Sequence, residues 1–209
     1  ILQIFRSVTL IASTVLNVVA LLYLQLDQTV SIMFSLPLVI ALLAGPILGE
    51  WIGVQRWIAI SVGFLGVVVV MRPGLGGIHP AAILTVIGVL CYAVYSITTR
   101  ILARTDATDT TLFYSNVVGC VGTTVLLPFV WTTPDSFVVV VVMVLAGFFG
   151  SFGHYLMIAA HRLAPAPILA PFVYTQIVWM AALGFLVFGD VPNKWTLGGA
   201  AIVIASRLY

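Results

Sequence analysis

Charged side chains are scarce in this chain. Asp, Glu, Lys and Arg make up 7% of its 209 residues, whereas soluble domains carry about 25%. Hydrophobic residues make up 62%. The net charge of +2 is carried by scattered residues that form no basic run. The composition therefore gives no support to a nucleic-acid-binding surface and indicates an integral membrane protein.

Residues that would support a disulfide, a metal site or an enzyme active site are also few. Cys91 and Cys120 both lie within apolar runs, so we expect them to be small packed residues. The three histidines are dispersed and form no HExxH or HxxxD pattern, which disfavours a membrane enzyme. With no nucleotide motif or metal-ligand cluster, the sequence predicts no cofactor.

Apolar runs separated by short polar, Gly or Pro segments fill the chain. They predict eight membrane spans, A to H, at about 4–24, 29–49, 54–71, 80–102, 110–131, 137–160, 167–188 and 195–208. The connecting loops are short, so consecutive spans are antiparallel neighbours. The runs do not alternate apolar and polar side chains as β-barrel strands do. The predicted fold is an all-α polytopic helix bundle.

One segment near the start returns in weaker form near the end. Residues 37–73 hold two apolar runs joined by a turn that contains Gly49 and Glu50, and residues 175–207 hold two runs joined by Gly189 and Asp190. Five spans separate the two acids, so the turns lie on opposite membrane faces and the copies are inverted. Inverted repeats are typical of secondary transporters.

Positive charge is distributed unevenly between the two ends of the predicted spans. One end collects six arginines, whereas the other holds only Arg72 and Lys194. Because cytoplasmic loops are enriched in Lys and Arg, the bias predicts a cytoplasmic start of span A. The six are Arg6, Arg56, Arg100, Arg104, Arg162 and Arg207.

The segments PLVIALLAGPILGE and VGFLGVVVVMRPG, within residues 30–74, resemble the EamA domain of the drug/metabolite transporter superfamily. The resemblance implies ten helices in two inverted five-helix repeats, with both termini in the cytoplasm. Residues 1–74 then hold the third to fifth helices of the first repeat, and residues 75–209 hold the sixth to tenth. On this expectation the first two helices are lacking, and it stays open whether the natural protein has them.

Polar side chains near the middle of a span are candidates for a substrate site, because they cost free energy unless they are paired or face water. One of them, Gln176, stands where the family usually has a proline. Each candidate also has a structural explanation, such as a hydrogen bond between helices. The candidates are Gln176, Tyr174 and Trp179 in span G, Tyr92 and Tyr95 in span D, Asn17 in span A and His154 in span F.

Titratable residues at the span ends have simpler interpretations. Glu50 and Asp190 each follow a glycine at a helix end, which favours a turn or capping role over ion coupling. His79 and His161 are interpreted as solvated loop residues. No Asp, Glu, Lys or Arg falls near the middle of a span, so a carboxylate proton relay is not predicted in this part of the protein.

These observations predict a secondary transporter that moves a small organic metabolite by alternating access. Aromatic and neutral polar candidates suit a substrate without a strong fixed charge, and within the superfamily riboflavin fits them. Export of an amino acid or another metabolite stays open, and a non-transporting scaffold is a weaker alternative. The expected partners are the substrate and the lipid bilayer of a bacterial inner membrane. A homodimer and coupling to a proton stay open.

Overall fold

The computed structural model describes residues 1–71, 79–189, 191 and 194–205, and within these ranges the chain is helical and contains no strand. A 3-10 segment, Ala170–Tyr174, joins α8 to α9, and a π-helical segment, Gly184–Phe188, extends α9. The α-helices are α1 (Leu2–Ala20), α2 (Leu26–Met33), α3 (Leu36–Leu48), α4 (Val54–Met71), α5 (Ala82–Leu102), α6 (Thr108–Val130), α7 (Phe137–Leu163), α8 (Ala166–Leu169), α9 (Thr175–Leu183) and α10 (Lys194–Ala205).

The prediction of an all-α integral membrane bundle is confirmed, because each predicted span contains helix. Two apolar helical stretches, Val54–Val70 and Lys194–Ala205, are shorter than the segments that count as candidate membrane spans. Asp190, the acid of the second predicted turn, lies outside the described residues. Among the residues that the structure describes, five segments are long and apolar enough to cross a membrane: Leu2–Ala20, Gln28–Leu48, Ala82–Leu102, Phe137–Leu163 and Ala166–Val187.

Helix α5 lies at the centre of the bundle and contacts α1, α2, α3, α7 and α8. Its Val89 and Ala93 pack in one buried cluster with Ile40 and Ala44 of α3. The small alanine side chains allow the two helix backbones to approach. Helix α5 therefore positions the helices that surround it.

Two of the membrane segments are interrupted. The first stops at Met33 and resumes at Leu36 with Pro37 in its first turn, and the second passes through the 3-10 segment that begins at Ala170. A proline lacks a backbone donor and disfavours helical geometry in the preceding residue, and Pro171 lies at the start of the 3-10 segment. Both interruptions thus follow from the sequence.

A hydroxyl group accompanies each interruption. Ser35 Oγ donates to the Ile32 carbonyl at 2.6 Å, and Thr175 Oγ1 donates to the Phe172 carbonyl at 2.5 Å. Each carbonyl also accepts a backbone N–H, from Ser35 and Thr175 respectively, so each hydroxyl adds a second hydrogen bond to it. The two short side chains therefore stabilise backbone that departs from regular helix.

Helices α4 and α10 approach closely through glycines. A Cβ atom built on Gly199 would lie 2.3 Å from Val70 Cγ2 and 2.5 Å from the Gly66 carbonyl oxygen. Gly66 therefore packs directly against α10. By contrast, a Cβ built on Gly147, Gly150 or Gly153 of α7 would meet no neighbour within 4 Å in the described part of the chain.

Cys91 and Cys120 are both free cysteines. Cys91 is half-buried, whereas Cys120 is exposed on α6, so the expectation of a packed side chain is wrong for Cys120. Exposure to lipid is compatible with a cysteine because its side chain is apolar and small.

Replacing Gly199 with Ala should destabilise the bundle, because the added methyl group cannot fit between α4 and α10. We expect a loss of about 1–3 kcal/mol, the usual cost of overpacking. The adjacent Gly198→Ala is a matched control, since a Cβ there meets nothing within 4 Å. Thermal unfolding in detergent measures both. Equal melting temperatures for the two variants would contradict the close approach.

Candidate functional site

A cavity of about 850 Å³ lies between α1, α2, α3, α5, α7 and the 3-10 segment with α9. Both helix interruptions border it. Phe34 comes from the first interruption, and Phe172 and Val173 come from the second. Binding sites at discontinuous helices are a common feature of transporters. The interruptions therefore identify this cavity as the candidate site.

The described lining of the cavity carries no charged side chain and no histidine. Its aromatic members are Phe34, Tyr92, Phe172 and Trp179, and its methionines are Met33, Met157 and Met180. Aromatic faces bind flat apolar groups, and the flexible thioether of methionine adapts to their shape. The few polar groups, which would fix the orientation of a ligand, are those of Ser13, Asn17, Thr175 and Gln176.

Four of the residues predicted from the sequence line this cavity: Gln176, Trp179, Tyr92 and Asn17. Gln176 and Trp179 are exposed and lie nearly one helical turn apart on α9. No hydrogen bond to the Gln176 amide is found among the residues that the structure describes. Its donor and acceptor are thus free to bind a ligand. Tyr92 is oriented on the opposite wall, where its hydroxyl donates to Met157 Sδ at 3.5 Å.

Asn17 presents a polar group in a fixed orientation. Its Nδ2 donates to the Ser13 carbonyl at 2.8 Å, and because a carbonyl only accepts, Nδ2 must face it. A Cβ built on Gly88 would lie 2.6 Å from Nδ2, so only glycine leaves room for this amide. The Oδ1 atom is buried without a hydrogen-bond partner in the described structure.

The other three predicted residues, Tyr174, Tyr95 and His154, lie behind the cavity wall. The hydroxyl of Tyr174 donates to the Ile60 carbonyl at 3.4 Å, and its ring lies against Phe34. Tyr95 OH and His154 Nδ1 are 3.2 Å apart. The ring of Tyr95 also packs edge-on against Tyr92 with 5.3 Å between centroids. These residues support the aromatic wall instead of forming it.

Arg6 is a buried cation whose place in the sequence indicated only the orientation of span A in the membrane. Its guanidinium donates to Thr99 Oγ1 at 3.3 Å, to the Thr111 carbonyl at 2.7 Å and to Ser115 Oγ. It also lies 5.0 Å from the centre of the Tyr95 ring. The position of this arginine inside predicted span A was the sequence feature that could have indicated a buried role. Arg6 ties α1 to α5 and α6, and through Tyr95 it reaches the residues behind the wall.

Gln3 and Asp106 join α1 to the loop between α5 and α6. Gln3 Nε2 donates to Asp106 Oδ2 at 2.7 Å, and Thr105 Oγ1 donates to the other carboxylate oxygen at 2.9 Å. These hydrogen bonds, that from Gln3 first, lower the pKa of Asp106 below its usual value. The carboxylate therefore stays charged and fixes the start of α1 at this end of the bundle.

Glu50 binds groups from two other elements at the same end. Its Oε1 accepts from Arg100 Nε at 2.8 Å and from Arg104 Nη2 at 3.4 Å, and its Oε2 accepts from the Ala166 backbone N–H at 2.9 Å. Ala166 begins α8, so Glu50 binds the start of a helix distant in sequence, whereas the sequence predicted a turn or capping role at its own helix end. The ion pairs with α5 were not predicted, because sequence spacing cannot show which arginine meets the carboxylate.

The interpretation of His161 as a solvated loop residue is wrong, since it is only 3% exposed. Its Nδ1 lies 2.8 Å from the Met157 carbonyl, and its Nε2 lies 3.0 Å from Ser96 Oγ. Nδ1 therefore carries the hydrogen, and Nε2 accepts from the serine hydroxyl. The helix continues to Leu163, which places His161 within the last turn of α7 and against α5.

Several characterised proteins are similar to this chain. S-adenosylmethionine uptake transporter of Rickettsia prowazekii (strain Madrid E) is 31% identical over 84% of this chain and 60% of its own length. Riboflavin transporter of Vibrio cholerae serotype O1 (strain ATCC 39315 / El Tor Inaba N16961) is 27% identical over 87% and 61%, respectively. The chain thus spans about 60% of the length of these curated relatives.

A solved crystal structure of a protein shares the fold. It superposes on 98% of this chain and 74% of its own with a TM-score of 0.87, at 16% sequence identity. Residues 79–208 match the model of the EamA-like transporter family. The family and these relatives are transporters by name, in agreement with the prediction against an enzyme. The chain therefore belongs to the EamA-like transporter family.

Proposed function

We propose that this protein is a secondary transporter that carries a small organic metabolite through the membrane by alternating access. The observation that supports this most directly is the uncharged aromatic cavity at two interrupted membrane helices. A substrate held there would contact helices from both ends of the chain. Relative movement of those helices would expose the same residues first to one side of the membrane and then to the other.

The proposed substrate class is a flat, uncharged heteroaromatic metabolite, and riboflavin is the preferred member. Trp179 and Phe172 offer ring faces, and the free amide of Gln176 can bind the hydrogen-bonding edge of such a ring. The polar groups of Asn17 and Thr175 lie on the same lining. Each of these groups orients a neutral ligand without leaving a charge unpaired.

S-adenosylmethionine is the second candidate, because a relative named for its uptake is 31% identical to this chain. Its adenine ring would fit the same aromatic surfaces. Its sulfonium, ammonium and carboxylate groups, however, would meet no opposite charge on the described lining. Transferring an unpaired ion into an apolar cavity is costly. The chemistry of the cavity therefore favours riboflavin over the substrate suggested by the higher identity.

The two-repeat organisation remains part of the proposal, with residues 1–74 and 75–209 as the two repeats. It is supported by the position of the interruptions, which fall in spans B and G, the fourth and ninth helices of the expected ten. We also propose that the end with Glu50 and Arg100 is cytoplasmic and that the membrane is a bacterial inner membrane, since the relatives named above are bacterial. A homodimer and proton coupling stay predictions.

Counterflow in liposomes should distinguish the two substrates. The natural protein is expected to exchange labelled riboflavin saturably, and excess unlabelled riboflavin should compete whereas S-adenosylmethionine and neutral amino acids should not. The reason is the absence of a counter-charge on the described lining. Exchange of S-adenosylmethionine in place of riboflavin would contradict the proposed substrate but keep a transporter. Absence of exchange for every member of the panel would contradict the proposed function.

Replacing Gln176 with Ala should raise the half-saturation concentration for riboflavin about fivefold to tenfold, because one hydrogen bond to the ligand is worth about 1–1.5 kcal/mol. Gln25→Ala is a matched control, since Gln25 is an exposed residue that precedes α2 and does not line the cavity. Counterflow at varied riboflavin concentration measures both. Equal half-saturation in the two variants would exclude Gln176 from the binding site.

A further inference from the structure

The polar cluster at the end of the bundle that carries Glu50 lies directly beyond the cavity. We name it the Glu50 cluster and define it as Glu50, Arg100, His161, Ser96 and the backbone N–H of Ala166. It joins the end of α3, the last turns of α5 and α7 and the first residue of α8. All four of these helices contribute to the cavity wall.

Three members of the cluster lie within about one turn of a residue that lines the cavity, and Ala166 is one of them because it precedes Leu169 by three residues. Ser96 follows Tyr92 by four residues, and His161 is adjacent to Ala160, which lines the cavity. The His161 ring is hydrogen-bonded to the backbone carbonyl of Met157, which also lines the cavity. The cluster therefore lies next to the lining of the cavity at this end.

The hydrogen bonds within the cluster run across the boundary that would have to open. Glu50 Oε2 holds the first N–H of α8 at 2.9 Å, and Arg100 Nη1 donates to the His161 carbonyl at the end of α7. A passage from the cavity to this end that opens between these elements would separate α3 and α5 from α7 and α8. That movement breaks both bonds as well as the contact between Ser96 and His161.

The ion pair between Arg100 and Glu50 is shielded from water. Breaking it therefore costs more free energy than breaking an exposed ion pair. The side chains of Arg100 and Glu50 are only 15% and 12% exposed, whereas Arg104 is 56% exposed. The carboxylate is also the shared acceptor for α5 and α8, so loss of its charge weakens two contacts together. Arg104, which is exposed, lies outside the cluster and contacts only its edge.

We infer that the Glu50 cluster is the closed gate of the transport pathway at the positively charged end of the bundle, and that Glu50 is the residue whose ionic contacts hold it shut. This inference rests on the proposed transport function. It assigns Glu50 a positioning role, in which it does not contact substrate. Weakening the cluster should then populate a state that is open at this end without altering the cavity lining.

The test measures access to the cavity instead of transport alone. Ala160→Cys is introduced into a Cys91→Ser/Cys120→Ser background of the natural protein, in right-side-out and inside-out vesicles. A membrane-impermeant maleimide then reports the rate of labelling from each face. Glu50→Gln should raise labelling from the Glu50 face about tenfold, the effect expected when charge-assisted hydrogen bonds are weakened. Labelling from the opposite face should fall or stay constant.

Asp109→Asn is the matched control, since Asp109 is an exposed carboxylate in the first turn of α6 at the same end. It should leave the labelling rate unchanged. Ser96→Ala, which removes only the bond to the His161 ring, should raise the rate severalfold and provides a second test if Glu50→Gln does not fold. Gel filtration reports folding. Unchanged labelling in every folded variant of the cluster would overturn the gate.

Riboflavin counterflow by the same wild-type sample separates this inference from the proposed function. Exchange by the wild type together with unchanged labelling in Glu50→Gln overturns the gate and keeps the transporter. Increased labelling in Glu50→Gln without exchange of any tested substrate supports a gated cavity and contradicts the proposed substrates. Increased labelling together with exchange supports both.

Discussion

A polar group inside a membrane bundle must find its partner within the protein, and much of this structure follows from that constraint. Arg6 is buried and bonds to hydroxyl and carbonyl groups of α5 and α6. Glu50 is held by α5 and by the first residue of α8. In a bundle whose helices gain little from burying apolar surface against one another, such contacts fix which helices are neighbours and in what register.

The same constraint explains how irregular backbone is tolerated beside the cavity. Pro37 and Pro171 lie beside the two interruptions, and the hydroxyls of Ser35 and Thr175 donate to carbonyl groups next to them. The interruptions turn Phe34 and Phe172 onto the cavity wall. The stabilising hydroxyl groups and the aromatic surface thus arise from the same few positions, which links the local folding of the chain to the proposed binding site.

Charged groups and neutral polar groups lie in different parts of the bundle. Charged groups are concentrated at the end of the bundle, where they join helices, whereas the described cavity lining is neutral and aromatic. The relative with the higher identity is named for S-adenosylmethionine uptake, but identity averages over the whole alignment, and substrate choice depends on a few lining residues. A neutral lining can accept a flavin ring, whereas a zwitterionic sulfonium compound would require counter-charges from elsewhere.

Composition and continuous apolar runs alone determined that this is an all-α membrane bundle and where its spans lie, because crossing a bilayer demands about 20 apolar residues regardless of neighbours. The presence of polar side chains near the middle of predicted spans also indicated a group of residues that line one cavity, namely Gln176, Trp179, Tyr92 and Asn17. Only the tertiary structure decided that Tyr95, Tyr174 and His154 lie behind the wall, that His161 is buried and that Arg100 meets Glu50. These facts depend on helix rotation and long-range contacts, and the spacing of residues along one helix contains neither.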